Sequence, residues 1–222
     1  MTTTFEKPIL TIDLVPLTVR DERLCVLLAE RGQEPFTGRQ ALIGGYVHVD
    51  KDCNLGETAR RVLRDKVGLS KLYVEQLSTF SGADRDPRGW SASVAYFSLT
   101  PFECLQPALN KAGLDLVDVA AVSGLPFDHD LIVRAAVERL RGKGAYSDLP
   151  ARFLGEFFTL PELHRVYQIV LGERINIDAF RRKVLERDFL EATGEKRTDA
   201  GATRPSALFR LKSAASVFDR RF

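Results

Sequence analysis

The sequence predicts an α/β protein in two parts: a strand-rich front domain and a smaller helical domain that ends in a β-hairpin. Three observations predict this. Residues 8–141 alternate β-rich apolar runs with two amphipathic helices. Residues 141–150, Arg-Gly-Lys-Gly-Ala-Tyr-Ser-Asp-Leu-Pro, concentrate Gly, Ser and Pro and read as a linker. Beyond them the pattern changes to helix, tight turn, basic helix and hairpin. The boundaries that follow are 1–145 for the front domain and 150–222 for the second.

Residues 1–7 read as a loose tail. Residues 10–19 and 24–29 are apolar and β-rich, and Arg20-Asp21-Glu22-Arg23 turns between them, which makes a hairpin. Residues 30–39, with Gly32, Pro35 and Gly38, form a loop. The apolar run 41–43 ends at Gly44-Gly45, which supply the backbone freedom of a sharp turn. Glu57-Thr58 precede Ala59, Val62, Leu63 and Val67, whose spacing gives a helix one apolar face. Gly68 falls where a left-handed helix cap belongs. Strands are expected at 72–80 and 93–99, around a loop containing Arg85-Asp-Pro-Arg-Gly-Trp90. A short strand at 117–122 leads to a helix at 131–140, with Asp128 or Asp130 as its cap.

The second domain is equally patterned. Thr159, Pro161 and Glu162 form a capping box with proline in the first turn. Leu163, Val166, Tyr167 and Val170 follow as an apolar stripe, and Gly172 stops the helix. After the turn 173–177, Asp178 is expected to cap a helix over 179–187. Phe180, Val184 and Leu185 face inward there and Arg181, Arg182 and Lys183 outward. Strands around 189–190 and 204–211 flank the polar stretch 195–203. This is the outline of a winged helix-turn-helix, in which the second helix enters the DNA major groove and the hairpin meets the backbone or minor groove. Residues 174–212 hold ten Lys or Arg against six Asp or Glu, a net +4, whereas the whole chain is only +2. Basic charge is therefore concentrated where that fold wants it.

The 222 residues are 45% hydrophobic and 28% charged, ordinary values for a globular protein. Cys25, Cys53 and Cys104 are an odd set without metal-site spacing and fit free thiols in a reducing cytosol. No apolar run approaches the roughly 20 residues that span a bilayer, and the start lacks the basic and apolar pattern of a signal peptide. The expectation is a cytoplasmic protein with no membrane partner.

Residues 44–69 resemble the signature of the Nudix family, Gly-x5-Glu-x7-Arg-Glu-U-x-Glu-Glu-x-Gly-U, with U apolar. Anchored at Gly68-Leu69, the Arg falls on Arg61 and the apolar position on Leu63. The carboxylates are gone: Val62, Lys66 and Cys53 stand at three of their positions and only Asp65 remains an acid, with the upstream spacing from the glycine longer than the signature's. At i, i+3 and i+4 the positions 62, 65 and 66 share one helix face. Three carboxylates there would hold Mg²⁺ beside a diphosphate. Valine cannot ligate and an ammonium repels the cation. Asp65 with Glu57, Asp50 or Asp52 makes a poor metal site, so neither catalytic nor metal residues nor a cofactor are expected.

The Arg85–Trp90 segment and Phe127-Asp-His129 resemble the ADP-ribose pyrophosphatase branch of that family. This implies an α/β/α sandwich around a mixed sheet. It also implies guanidinium forks from Arg85 and Arg88 on phosphate, the Gly44-Gly45 turn nearby, and Trp90 stacked on a base. His129 is a candidate base, although a lone histidine is more often structural. The tail is similar to the C-terminal domain of the NrtR-type Nudix-related regulators. That resemblance, which covers nearly the whole chain, implies a repressor of NAD metabolism genes that acts as a homodimer on a palindromic double-stranded operator and senses ADP-ribose or a related nucleotide. Arg181, Arg182 and Lys183 would touch DNA from the recognition helix, and Lys196, Arg197 and Arg204 from the wing. The alternative is an ADP-ribose pyrophosphatase that has rebuilt its metal site from Asp65, Glu57 and Asp50 or Asp52.

Overall fold

The computed structural model describes residues 7–70, 72–198 and 204–212. Residues 1–6 of the expected tail and 199–203 of the expected wing tip lie outside the described residues. The first hairpin is β1 (Ile9–Arg20) and β2 (Arg23–Glu30), turned by Asp21 and Glu22, both at positive φ. β3 (Gln40–Ala41) and β4 (Ile43–Tyr46) form one bent run broken at Leu42; β3 pairs with β2 and β4 with β1. α1 (Leu55–Val62) follows, then β5 (Tyr73–Gly82), β6 (Ser91–Leu99), the short α2 (Phe102–Leu105) and β7 (Leu114–Asp118). α3 (His129–Gly144) closes the front domain. The sheet runs β3-β2-β1-β6-β5 and is mixed, because β1 and β6 are parallel while the other pairs are antiparallel.

The period-2 alternation of β1 assigns its two faces. Ile12 and Leu14 pack with Ala59, Val62, Leu63 and Val67 of the first helix. Val15 and Leu17 pack with Ile132, Val133, Ala136 and Leu140 of α3. The expected α/β/α sandwich is thus what the alternation builds.

Several local expectations change. Gly44 and Gly45 do not turn; they lie inside β4, opposite Asp13 and Ile12. A Cβ on Gly44 would sit 2.6 Å from Asp13 Oδ1, and one on Gly45 2.8 Å from Val62 Cγ2. Glycine is there for close approach. The helix starts earlier than expected, with the Asn54 side chain accepting from Glu57 N–H at 3.0 Å. Its last turn, Leu63–Val67, is π-helical and ends at Gly68 with φ 89°. A wider turn changes which side chains align: Val62 is buried, Asp65 faces solvent and Lys66 reaches β4, so positions 62, 65 and 66 do not share one face. The strand expected at 117–122 is β7, starting at Leu114.

The linker is not one. α3 runs through Gly144, and Ser147, Asp148, Leu149 and Pro150 are buried. Gly144 lets α3 meet its neighbours closely, since a Cβ there would stand 3.2 Å from Pro150 and 3.4 Å from Val170.

The second domain comprises β8 (Phe158–Thr159), α4 (Leu160–Leu171), α5 (Ile177–Glu186), β9 (Leu190–Arg197) and β10 (Ser206–Leu211). Its sheet order is β8-β10-β9. The predicted capping box forms: Glu162 N–H donates to Thr159 Oγ1 at 3.4 Å and Thr159 N–H to Glu162 Oε2 at 2.8 Å. Asn176, not Asp178, caps α5, accepting from the Asp178 and Ala179 N–H groups at 3.1 and 3.0 Å. Phe180 and Val184 join its core, but Leu185 is exposed.

Candidate functional site: a charged cavity and a basic helix face

A cavity of about 400 Å³ is lined by β1, the 30–34 loop, β4, the end of the π-helical turn, the 85–88 loop and the start of α3. A larger groove of about 880 Å³ lies between β5 and the small sheet. The smaller cavity is the better ligand site, because charged groups from elements far apart in sequence converge on it.

Its floor is a buried ion network. Arg85 Nε and Nη2 donate to the two oxygens of Asp128 at 3.0 and 2.8 Å. Nη2 also reaches Asp13 at 3.4 Å and Nη1 reaches Ser91 Oγ at 3.2 Å. His129 is buried against the same carboxylate, with Nε2 3.6 Å from Asp13 Oδ1. Its Nδ1 accepts the Leu42 N–H at 3.0 Å, so Nδ1 carries no proton and Nε2–H faces Asp13. Leu42 has left the ladder, and the imidazole takes the donor freed there. Burial raises the Asp13 pKa, but the bonds from His129 and Ser93 and the charge of Arg85 outweigh it, and the net shift is downward.

The cavity wall is cationic and aromatic. Arg88 forks onto Asp86 at 2.9 and 2.6 Å and donates to Tyr46 Oη at 2.6 Å. That fork lowers the Asp86 pKa in spite of burial. Arg31 lies 4.8 Å over the Phe127 ring, and its Nε donates to Pro35 O at 2.8 Å. Phe127 is held at φ 58°; a bulky side chain in that region is strained, and such strain collects at functional sites. Lys66 Nζ donates to Gly44 O at 2.5 Å. Burial first, then Arg31, lowers its pKa.

The positions of the Nudix carboxylates do not fit a divalent cation. Val62 is apolar and buried, and Lys66 brings positive charge. Asp52 is committed to Arg61, which donates to its two oxygens at 2.7 and 2.8 Å, with Thr58 Oγ1 and His48 N–H at 3.0 and 2.9 Å. Among the described residues no group of three His, Cys, Asp or Glu is arranged to hold a metal.

The second site is the outer face of α5. Asp178, Arg181, Arg182 and Leu185 are exposed there at helical spacing. The turn before α5 is fixed from α4: His164 Nε2 donates to Ile175 O at 2.7 Å, and Gln168 Oε1 accepts Ile175 N–H at 3.0 Å. Lys196 and Arg204 are exposed at the hairpin. Arg197 is held by Glu162 at the start of α4. Arg210 forks onto Glu191 across β9 and β10, with two bonds of 3.0 Å.

Residues 150–211 match the family model described as the NrtR DNA-binding winged helix domain. Over 210 residues the chain is 34% identical to the ADPR responsive transcriptional repressor NtrR of Acinetobacter baylyi, covering 93% of this chain and 83% of that one. The chain belongs to the NrtR family. It superposes on Shewanella oneidensis NrtR, solved in complex with a 27mer DNA, with a TM-score of 0.89 and 38% identity over 96% of this chain and 99% of that one. The Nudix domain of the same NrtR, solved in complex with ADP ribose, matches at TM-score 0.55 and 33% identity, covering 61% of this chain and 90% of that one.

In this NrtR-family chain the structure brings Gly44, Gly45, Arg85 and Arg88 to the lining of one cavity. It leaves Trp90 outside the lining and half exposed, with its carbonyl accepting the Ile9 N–H. Arg85 offers little to a phosphate, because four of its five N–H groups already bond protein oxygens. Asp128 stands at the N-cap position, one residue before α3, without capping it by its side chain, and Asp130 instead accepts from the Gly124 and Leu125 N–H groups. Asp13, Arg31, Lys66, Tyr46 and Phe127 were missed as cavity residues. The signal that could have found Phe127 was the same Phe-Asp-His segment that pointed to His129.

Proposed function

We propose that this chain is a ligand-responsive transcriptional repressor that binds a DNA operator through its winged helix and senses ADP-ribose through the cavity of its Nudix-like domain. The observation that carries this reading is the match along nearly the whole chain to a relative solved on DNA, with a separate match of the front domain to one solved with ADP ribose. Arg181, Arg182 and Lys183 of α5 enter the major groove, and Lys196, Arg197 and Arg204 meet the backbone from the wing. ADP-ribose lies against Gly44, Gly45 and Arg88. Phe127 or Tyr46 stacks on the base in the role first given to Trp90, and Arg85 braces the floor beneath. The protein works in the cytoplasm as a homodimer on a palindrome, and its targets are genes of NAD metabolism. It is not a hydrolase, because Val62 and Lys66 leave no seat for the cation that would activate water.

ADP-ribose shifts DNA affinity only if it binds the two conformations unequally. Fluorescence anisotropy on DNA from upstream of the chain's own gene and its neighbours tests this. Tight, salt-sensitive binding should change on addition of ADP-ribose, with the nucleotide recovered intact in the presence of Mg²⁺. Replacing Arg181 and Arg182 by alanine should weaken binding and reduce the slope of log K against log salt by about 0.9 for each phosphate that is no longer neutralised. Appearance of AMP together with no binding to any fragment would instead establish a pyrophosphatase.

A further inference from the structure

The face of the first helix that looks towards β4 carries one polar group that reaches the cavity. Val62 lies under Gly45, 2% exposed, and cannot ligate. Asp65 turns outward to Arg64 at 3.1 Å. Asp52 is saturated by Arg61, Thr58 and the His48 N–H. Lys66 remains. It lines the cavity with Arg31 and Arg88, and its hydrogen bond goes to a neutral carbonyl, that of Gly44, at 2.5 Å. An ammonium has three donors, so two stay available. The neighbouring arginines are engaged differently. Arg88 is neutralised by Asp86, and Arg31 is pinned to Pro35 O above the Phe127 ring. A partly desolvated cation next to like charge, bonded only to a carbonyl, is stabilised by an arriving anion.

We propose that the Lys66 ammonium stands in for the divalent cation and contacts the diphosphate of the ligand directly, so that this chain binds a nucleoside-diphosphate sugar without metal. This rests on the functional reading above and adds the group that recognises the diphosphate. It also accounts for binding without turnover. An ammonium supplies the charge that holds the phosphates, but it has no coordination site on which a water can be acidified into a nucleophile. The substitution that removes the hydrolytic metal therefore creates the sensor's own anion contact.

The test is isothermal titration of the full-length protein with ADP-ribose, once with EDTA and once with excess Mg²⁺. The wild type should show one Kd in both buffers. Lys66→Gln keeps the length and removes the charge; it should weaken ADP-ribose roughly ten- to hundredfold, the size of one charged hydrogen bond. Lys66→Arg should recover most of the loss. Tighter binding by the wild type in Mg²⁺ than in EDTA would overturn the proposal. So would Lys66→Gln binding as well as the wild type. A loss that Lys66→Arg fails to restore would make Lys66 a packing residue and overturn it too. Failure of the wild type to bind ADP-ribose in either buffer would instead remove the functional reading, and this inference with it.

Discussion

At Arg85 a guanidinium lies between Asp13 and Asp128 and only 7% of its side chain is exposed. These charges, two of them buried and Asp128 partly so, are tolerable because each has a partner, and removing the central one leaves both carboxylates without their guanidinium. Arg85→Ala should therefore cost roughly 3 kcal/mol or more of folding stability, measured by urea denaturation. A residue serving only the ligand would lose affinity and keep its stability. The same network predicts a pH dependence. The Asp13 carboxyl titrates below its ordinary 3.8 in the folded protein. Its contribution is fully present above that value and is lost as pH falls below it through the folded pKa. Asp13→Asn should flatten the acid limb of a stability profile. This network was hardly legible in the sequence. Asp13 and Arg85 are 72 residues apart, Arg85 and Asp128 another 43, and no local pattern relates them. Arg88 was legible because it sits in a short motif, whereas Lys66 was legible only as a departure from one.

At the scale of the element, the parts read correctly were those whose signals are local. The capping box at Thr159 and Glu162, the left-handed caps at Gly68 and Gly172, and the β1–β2 hairpin all formed where composition placed them. Thr159→Ala removes one half of the box and should destabilise by about 1 kcal/mol, seen as a lower midpoint in thermal unfolding followed by circular dichroism. The errors have a common physical origin. Glycine serves turns and close contacts alike, and the sequence does not say which. Gly44 and Gly45 read as a turn because paired glycines usually make one, yet the deciding contacts are Asp13 and Val62, supplied by another strand and a helix. The π-helical end of the first helix was hidden for a similar reason: a 3.6-residue period fitted Val62, Leu63 and Val67 well enough to conceal the wider turn.

For the whole molecule, the contrast of a near-neutral front and a basic back was plain from the charges alone, and so was the order of the two folds. The junction was not. A single apolar cluster contains Val15 and Phe97 of the large sheet, Leu140 of α3, Leu149 and Phe153 of the connecting turn, and Val166 and Val170 of α4. Tyr167 Oη donates to Ser147 O at 2.8 Å across the same seam. Two folds that share a core should unfold together. Val170→Ala should cost roughly 2 kcal/mol and raise hydrogen exchange in α1 and α5 alike, although neither helix contains the substitution. Exchange that rises in α5 alone would mean independent domains.

The buried run after α3 has a consequence for how the chain meets a protease. A composition rich in Gly, Ser and Pro normally marks where an enzyme nicks a two-domain protein. Here Lys143 is bound to Glu75 at 2.6 Å, Arg141 donates to Val170 O at 3.3 Å, and the four residues from Ser147 to Pro150 are covered. Trypsin in limiting amounts should pass over this stretch and cut first at the exposed hairpin near Lys196, trimming the wing while the two halves remain one fragment on a gel.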